Sequence, residues 1–393
     1  MVDTVVIVSG TRTPIGSFGG KLSTFSAIEL GAQVIRNTVE KSGLDKEQID
    51  EVFMGNVLSA GLGQAPTRQA LIKAGLSHHT AATTVSKVCG SGMKAIFQAY
   101  DGIRSGSIQV AVAGGMESMS NAPYLLSKAR FGYRMNHQKI FDHMFLDGLE
   151  DGETGFSMGL FAQEIADRYN YTRQQLDEYA IYSLQRAKKA IEEGVFKDEI
   201  TPVHVVSRNV TSLVEYDEQP LSAKQEKIAQ LKPVFKKDGT ITAANSSSIS
   251  DGAAALLLCS AEVAKNNHLH PLATIVGTAN HAQLPLEFSL APIAAIDKLL
   301  KKVGWTIDDV ELWEINEAFA SVALLAIDHL KLDVNKVNIF GGACALGHPI
   351  GCSGTRIVLT LITALQRTGA KKGIAAICIG GGEATAIAIE LNS

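Results

Sequence analysis

The stretch Val85-Ser-Lys-Val-Cys-Gly-Ser-Gly-Met-Lys-Ala-Ile96 runs from extended residues through a cysteine and a Gly-Ser-Gly turn into a helical pattern. Cys89 is therefore predicted to lie where a strand or loop passes into a helix N-terminus. The unpaired N–H groups and the positive end of the helix dipole favour a thiolate there. A cysteine is only slightly ionised at neutral pH, so a nucleophile needs such help or a neighbouring base. The alternative interpretation of Cys89 is a small buried apolar residue.

Buried strands alternate with helical patterns on both sides of this stretch. Apolar runs at 5–9 and 109–118 predict strands, and helical patterns cover 27–36, 67–74 and 93–103. The second half repeats the order, with strands at 272–278, 310–316 and 374–383 and helices at 294–302, 318–330 and 354–367. One order of elements in two halves predicts an α/β fold built from a duplicated βαβ-type unit with a largely buried sheet.

The middle of the chain has a different character. It is more polar, and a long helical pattern covers 174–193. We interpret it as an insertion that carries ligand contacts. The predicted domains are 1–117 together with 251–270, the inserted segment 118–250, and 271–393.

Bulk composition excludes several classes of protein. A chain of 393 residues that is 46% hydrophobic and 19% charged is typical of a well-packed enzyme, and its net charge of −4 gives no reason to expect a nucleic-acid partner. Arg208, Lys224 and Lys227 are candidates to meet ligand phosphates, although a solvated basic face is the simpler interpretation. Five cysteines indicate a reducing compartment. With no apolar run of membrane-spanning length and no secretory signal pattern, we expect a cytoplasmic protein without a membrane partner.

Four reactive side chains follow predicted strands. Cys89, Asn316, His348 and Cys378 all lie in or beside glycine-containing turns at such ends. In an α/β sheet the carboxyl ends of strands line the ligand crevice, so the four are predicted to converge if the two halves pack face to face. Simpler roles remain open: a helix N-cap for Asn316, a turn residue for His348 and a core residue for Cys378.

A metal site is not expected, although Cys344, His348 and Cys352 are spaced four residues apart. A proline and two glycines interrupt the helix that would align them, and no fourth ligand is evident. The four reactive residues instead predict nucleophilic acyl transfer, with one cysteine as acyl carrier, the histidine as activator and the second cysteine moving a proton. Backbone N–H groups beside Cys89 and Gly380 offer an oxyanion hole.

At these residues the chain resembles the thiolase family over essentially its whole length. Val88-Cys-Gly-Ser-Gly, Asn316-Glu-Ala-Phe, Gly347-His-Pro-Ile-Gly and Cys378-Ile-Gly-Gly-Gly resemble the four active-site motifs of that family, in the same order. The segment Thr242-Ala-Ala-Asn-Ser-Ser-Ser-Ile-Ser-Asp-Gly resembles its pantetheine-side segment.

The resemblance implies an αβαβα five-layered sandwich of two five-stranded halves, with the insertion as a loop domain that binds coenzyme A. It implies a homotetramer built from two dimers, acting in fatty-acid or ketone-body metabolism. The implied activity is acetyl-CoA C-acetyltransferase: ping-pong condensation of two acetyl-CoA to acetoacetyl-CoA and CoA, and the reverse thiolysis. Coenzyme A thioesters would be substrates, and no metal or redox cofactor would be needed.

The resemblance also assigns roles to residues. Cys89 would carry the acetyl group, Cys378 would move the proton at carbon, and His348 would activate Cys89. His348 and a water held by Asn316 would form one oxyanion hole, and the N–H groups of Cys89 and Gly380 the other. The residues implied to contact substrate or coenzyme A are Ser247, Met158, Phe235, Ala243, Ala318, Phe319 and Phe288.

Two positions bear on specificity. Ser157 occupies the place where many biosynthetic family members have histidine, and Phe288-Ser-Leu-Ala-Pro resembles the substrate loop of members that accept 2-methyl-branched acetoacetyl groups. Three alternatives remain: a broad-range 3-ketoacyl-CoA thiolase of fatty-acid β-oxidation, a β-ketoacyl synthase, and a carrier that binds acyl-CoA without turnover. The second cysteine at Cys378 disfavours a synthase, and the full set of reactive residues disfavours a carrier.

Overall fold

The computed structural model describes residues 4–207 and 210–392, so Arg208 and the outermost ends of the first and third predicted domains lie outside the described residues. The strands are β1 (Val5–Arg12), β2 (Gly16–Ser17), β3 (Glu51–Gly55), β4 (Ala81–Val85), β5 (Val110–Ser118), β6 (Tyr124–Leu125), β7 (Phe141–Asp142), β8 (Val203–Ser207), β9 (Val210–Val214), β10 (Ser250–Ser260), β11 (Ala273–Ala282), β12 (Leu312–Ile315), β13 (Lys372–Ile379) and β14 (Glu383–Leu391). The helices are α1 (Ala27–Ser42), α2 (Pro66–Ala74), α3 (Ser91–Ser105), α4 (Met158–Arg168), α5 (Arg173–Glu192), α6 (Glu218–Ser222), α7 (Ala261–Asn266), α8 (Ala291–Val303), α9 (Ala320–Leu330), α10 (Ala343–Leu346) and α11 (Ile350–Thr368).

One hydrogen-bonded sheet runs through both halves of the chain. Its order is β12-β13-β14-β11-β1-β10-β5-β3-β4, and β2 pairs with β10 at the side. The pairing is parallel at the two far ends, in β12–β13 and β3–β4, and antiparallel in the middle, where β1 joins β11. From either end of the sheet toward its centre, parallel pairing comes first and antiparallel pairing follows. This shared arrangement of the two halves confirms the predicted duplication. The closing strand β14 was not predicted.

The core is arranged in five layers. An apolar cluster with α1 and α2 covers one half of the sheet, and a second cluster with α8 and α9 covers the other. Between them, Ile96, Phe97 and Tyr100 of α3 pack with Leu361 and Leu365 of α11 in a third cluster that contains residues of both halves. The predicted αβαβα sandwich is confirmed, with α3 and α11 as its central layer.

Local sequence explains where the principal helices begin and end. Ser26 and Glu29 form a capping box at the start of α1, and Gly43 ends that helix in the left-handed conformation. A second capping box, between Thr172 and Gln175, starts α5 at Arg173, one residue before the predicted start. Every helix in the described ranges is too short or too polar to span a membrane.

The second half has four strands in the sheet, where five were implied. Val337 makes only a single parallel bridge to Trp313. The next residue, Asn338, has a φ of 48°, so the backbone does not continue alongside β12 as a strand. The side chain of Asn338 makes the hydrogen bonds to β12 instead. Its Oδ1 accepts from the N–H of Ile315 at 2.8 Å, and its Nδ2 donates to the carbonyl of Ile315 at 2.9 Å. One buried amide thus replaces a fifth strand at this edge.

We expect Asn338→Ala to lower the free energy of unfolding by about 2–4 kcal/mol, because it leaves both backbone groups of Ile315 buried without a partner. Urea denaturation measures the change. The matched control is Asn335→Ala, which removes the amide of an exposed asparagine three residues earlier and is expected to cost less than about 1 kcal/mol. Equal effects of the two substitutions would contradict a structural role for the Asn338 amide.

Candidate active site

Glycine at the strand ends lets the two central helices approach the same edge of the sheet. A Cβ added to Gly55, at the end of β3, would lie 2.5 Å from the N of Gly92 in α3 and 2.7 Å from the carbonyl O of Gly351 in α11. A Cβ on Gly115 of β5 would overlap the same carbonyl. Distances of this size exclude a side chain. The first turns of α3 and α11 are therefore held close together, and with them the turns that carry Cys89 and His348.

A cavity of about 410 Å³ opens at this point. Its walls include Cys89, His348, Cys378 and Gly380. All seven residues predicted to contact substrate or coenzyme A also line it: Ser247, Met158, Phe235, Ala243, Ala318, Phe319 and Phe288. The structure thus brings together every predicted site residue except Asn316, which is buried and does not line the cavity.

Cys89 lies in the turn before α3 and is partly exposed to the cavity. The preceding residue, Val88, has a φ of 45°, an unusual conformation for a β-branched side chain. Burial raises the pKa of the Cys89 thiol to about 11, the nearby Glu117 carboxylate adds to the rise, and hydrogen bonds from the N–H groups of Gly380 and Cys89 oppose it. The expectation that the helix N-terminus favours a resting thiolate is therefore wrong, because desolvation outweighs it. A neutral thiol needs a base at the moment of attack.

His348 lines the same cavity and is the candidate for that base. Its Nδ1 lies 2.6 Å from Oγ of Ser353, whose own hydrogen is directed to the carbonyl of Pro349 at 3.0 Å. Nδ1 therefore carries the ring hydrogen and donates to Ser353, which leaves Nε2 as an acceptor. Nε2 is buried and has no hydrogen-bond partner in the described residues. Burial, assisted by Arg356, lowers the pKa of His348 to about 3, so the ring is neutral.

Cys378 is the second thiol at the cavity. It lies near the end of β13 and is 1% exposed. Burial raises its pKa well above the ordinary value, and the proximity of Cys89 raises it further. Cys89 is thus close enough to influence the ionisation of Cys378, although the two residues come from opposite halves of the chain.

Asn316 does not cap a helix, because α9 begins four residues later at Ala320. Its backbone N–H donates to the carbonyl of Ala376 at 2.9 Å. The side chain is buried, and neither its Oδ1 nor its Nδ2 has a partner in the described part of the chain. A buried amide with both polar atoms free is rare in a folded protein and indicates a polar group supplied from outside the chain.

The segment predicted to face pantetheine, which begins at Thr242, is hydrogen-bonded to the loop between β12 and α9. Ser247 donates through both its N–H, at 2.9 Å, and its Oγ, at 3.0 Å, to the carbonyl of Ala318. Ser246 forms an isolated antiparallel β-bridge with Phe319, and the N–H of Ala320 donates to the carbonyl of Asn245 at 2.9 Å. This pairing forms one continuous wall of the cavity.

Aromatic side chains also line the cavity. The ring of Phe319 meets the rings of Phe235 and Phe288 edge to face, with centroids 6.0 and 6.2 Å apart. Ser157, the position that distinguishes this chain, caps α4 by accepting from the N–H of Leu160 at 3.2 Å. It also lines the cavity.

Several residues at the site escaped the sequence interpretation. Ser353, which orients His348, follows it by five residues, and only this spacing could have suggested it. The walls also include Phe145, Leu149, Val234 and Ile350, of which the first three come from the insertion, where no motif marks them. Within residues 4–207 and 210–392, no group of three or more His, Cys, Asp or Glu side chains is arranged to hold a metal ion.

Comparison with known families and proteins agrees with this geometry. The family model "Thiolase, N-terminal domain" matches residues 5–262, and "Thiolase, C-terminal domain" matches residues 269–391. The chain is 48% identical to an acetyl-CoA acetyltransferase of Pseudomonas aeruginosa, with 98% of each chain covered. It is 47% identical to an acetyl-CoA acetyltransferase of Escherichia coli, again with 98% of each covered.

Solved structures show the same fold. The Bacillus anthracis acetyl-CoA acetyltransferase superposes with a TM-score of 0.97 at 41% identity, over 100% of this chain and 99% of that one. The Acat5 thiolase of Ascaris suum, solved with coenzyme A, gives 0.94 at 42% identity over 99% and 100%. With both family domains matched in order, and with the four motifs at one cavity, the chain belongs to the thiolase family.

Proposed function

We propose that this protein is an acetyl-CoA C-acetyltransferase, which condenses two molecules of acetyl-CoA to acetoacetyl-CoA and free CoA and catalyses the reverse thiolysis. The observation that carries the proposal is the cavity lined by two thiols, Cys89 and Cys378, together with a neutral imidazole whose Nε2 is free. The names of the relatives and the coenzyme A bound to the Ascaris suum thiolase support the choice of substrate.

In the first half-reaction, the sulfur of Cys89 attacks the carbonyl carbon of acetyl-CoA while Nε2 of His348 takes the thiol proton. The tetrahedral intermediate collapses, the bond to the CoA sulfur breaks, and the proton passes to the departing CoA thiolate. The products are acetyl-Cys89 and CoA. Because both partners begin neutral in a desolvated site, charge develops only as the proton moves.

In the second half-reaction, Cys378 acts as the base. Its thiol proton first passes to Nε2 of His348, and the resulting thiolate removes a proton from the methyl carbon of a second acetyl-CoA. The carbanion attacks the carbonyl carbon of acetyl-Cys89, a carbon–carbon bond forms, and the bond to the Cys89 sulfur breaks. The protonated His348 then returns its Nε2 proton to the thiolate of Cys89, which leaves both thiols and the imidazole neutral. Thiolysis follows the same steps in reverse. No metal or redox step is required.

Two sets of donors stabilise the oxygens that become negative. The N–H groups of Cys89 and Gly380 already point to the Cys89 sulfur, and we assign them to the carbonyl oxygen of the acetyl group on it. His348, once protonated at Nε2, and a water bound to Asn316 are assigned to the enolate oxygen of the other thioester. Fixed donors of this kind typically contribute about 10²–10³ in rate each.

The three predicted domains are proposed to divide this work. Residues 1–117 with 251–270 supply Cys89, residues 271–393 supply Asn316, His348 and Cys378, and the insertion 118–250 supplies the walls that hold coenzyme A. All five cysteines are free in the structure, which supports a cytoplasmic, reducing location.

We expect the protein to form a homotetramer, as the family resemblance implies. The insertion exposes several large apolar side chains, among them Tyr124, Phe131 and Met135, which are 69, 89 and 79% exposed. Surfaces of this kind usually mark a protein–protein contact. Sedimentation velocity of the purified protein tests this expectation, and a monomer at micromolar concentration would contradict it.

Substitution of the two cysteines separates their roles. We expect Cys89→Ser to abolish the covalent acetyl-enzyme that forms with acetyl-CoA, because the acceptor sulfur is lost. We expect Cys378→Ser to retain acetylation of Cys89 while condensation falls by about 10²-fold or more, since the base is lost. Peptide mass mapping reports acetylation, and CoA release reports condensation. Loss of acetylation in both variants would refute this division of labour.

Chain-length preference tests the proposed substrate. With 3-ketoacyl-CoA thioesters of about four to sixteen carbons, we expect kcat/KM to be highest for acetoacetyl-CoA and at least about 10-fold lower for long chains, because the aromatic wall limits the acyl end. Flat activity across the series would favour the broad-range 3-ketoacyl-CoA thiolase. Wild-type protein without activity on any member would overturn both assignments.

A further inference from the structure

Two buried carboxylates lie at the two ends of the segment that carries His348. We call residues 342–351 the His348 segment. Glu117, on β5, and Glu317, just after β12, are each 0% exposed, and neither lines the cavity. Ionised groups are rarely buried so completely unless they are fully paired.

Glu117 accepts four hydrogen bonds. Its Oε1 accepts from Nδ2 of Asn56 at 2.9 Å and from the N–H of Leu58 at 3.1 Å. Its Oε2 accepts from the N–H of Val57 at 3.1 Å and from the N–H of Gly351 at 2.9 Å. Two bonds per oxygen satisfy the carboxylate, and the last of them holds the end of the His348 segment.

Glu317 repeats this arrangement at the other end. Its Oε1 accepts from Oη of Tyr179 at 3.0 Å and Nδ2 of Asn338 at 2.8 Å. Its Oε2 accepts from Oγ of Ser183 at 2.8 Å and from the N–H of Cys344 at 3.1 Å. Tyr179 and Ser183 belong to α5 of the insertion, so this carboxylate also joins the insertion to the His348 segment.

Both carboxylates pack directly against glycine at the ends of the segment. A Cβ on Gly351 would lie 2.6 Å from Oε2 of Glu117, and a Cβ on Gly342 would overlap the carboxyl group of Glu317. Between these two points, the backbone N–H of His348 is held by the carbonyl of Ser248 at 3.1 Å. The segment that carries the histidine is thus held at both ends by a buried carboxyl group.

We propose that Glu117 and Glu317 are positioning residues that fix the two ends of the His348 segment and so hold the imidazole in reach of Cys89. This inference rests on the proposed function. Neither carboxylate touches substrate. Because general-base catalysis depends on distance and orientation, a displacement of about 1 Å in the histidine is sufficient to lower the rate about 10²-fold.

Glu117 has a second property that separates it from Glu317. The titratable groups that face Cys89 are Glu117 from β5, Cys378 from β13 and His348 from the turn before α11. Burial raises the pKa of Glu117 to about 7, so it is an anion at pH 8.5. An anion beside a thiol disfavours the thiolate, and its removal therefore increases the thiolate fraction of Cys89.

The experiment compares Glu117→Gln, Glu317→Gln and a control, Glu199→Gln. Glu199 is also a buried carboxylate, but its partners are Arg12, Thr360 and Thr363, all outside the His348 segment. Thermal unfolding, the kcat and KM for thiolysis of acetoacetyl-CoA, and the rate of Cys89 alkylation by iodoacetamide at pH 8.5 are measured for each, well below the melting temperature.

We expect both site variants to lower kcat about 10- to 100-fold, with KM for acetoacetyl-CoA within about 3-fold of wild type. Alkylation of Cys89 should be faster in Glu117→Gln and unchanged in Glu317→Gln. The control should lower the melting temperature while kcat stays within about 2-fold of wild type. Gly351→Ala, which pushes on the Glu117 carboxylate without removing it, should reproduce the loss of kcat.

Wild-type kcat in folded Glu117→Gln or folded Glu317→Gln would overturn the inference for that residue. If Glu199→Gln lost as much kcat as the two site variants, the loss would reflect general destabilisation of the fold, and the inference would be overturned. Slower alkylation in Glu117→Gln would contradict the role of its charge. Inactive wild-type protein would instead refute the proposed function, so the two failures are distinct.

Discussion

The close approach of α3 and α11 is the constraint on which the site depends. A Cβ on Gly92 of α3 would lie 2.7 Å from Oγ1 of Thr355, and a Cβ on Gly354 of α11 would overlap the backbone of Met93. Backbone therefore meets backbone where the helices start, and the turns with Cys89 and His348 face each other across the junction of the two halves. Any larger side chain at these positions would separate the two helices, and a nucleophile and base several ångströms farther apart cannot exchange a proton.

Such tight packing excludes water, and the loss of water sets the ionisation of the reactive groups. Burial raises the pKa of Cys89 to about 11 and lowers that of His348 to about 3, so both groups are neutral at rest. A neutral thiol and a neutral imidazole cost little to bury, whereas the thiolate–imidazolium pair would need compensating partners. In the proposed mechanism, charge therefore develops only when substrate is bound, where the N–H of Gly380 and the other donors assigned to the oxyanion can stabilise it.

The sequence was sufficient to predict the architecture and most of the residues that line the cavity. Apolar runs followed by glycine predicted the strand ends, and side chains at such ends, including Cys89 and Cys378, do meet at one cavity. The pairing of Asn338 with β12 was not predictable from sequence. The Asn338 amide makes the two hydrogen bonds that a neighbouring strand would make, and it can do so only where the folded chain places it beside Ile315. The same holds for Glu117 and Glu317, whose donors come from segments far apart in the chain. The direction of the Cys89 pKa shift was missed because a helix N-terminus is visible in sequence and desolvation is not.

The coupling between the two cysteines gives the proposed reaction its order. The proximity of Cys89 raises the pKa of Cys378, because two thiolates in one desolvated site repel each other. Because Cys89 is neutral at rest, this repulsion acts only when Cys89 is itself a thiolate, and the two cysteines therefore do not ionise together. Acetyl-Cys89 cannot ionise, whereas the Cys89 thiolate that is released when the carbon–carbon bond forms disfavours the thiolate of Cys378 and so favours its return to the thiol. A high pKa also makes the thiolate of Cys378 a stronger base toward a weakly acidic carbon. In the proposed reaction each cysteine therefore ionises in its own half-reaction, Cys89 as the acyl carrier and Cys378 as the base.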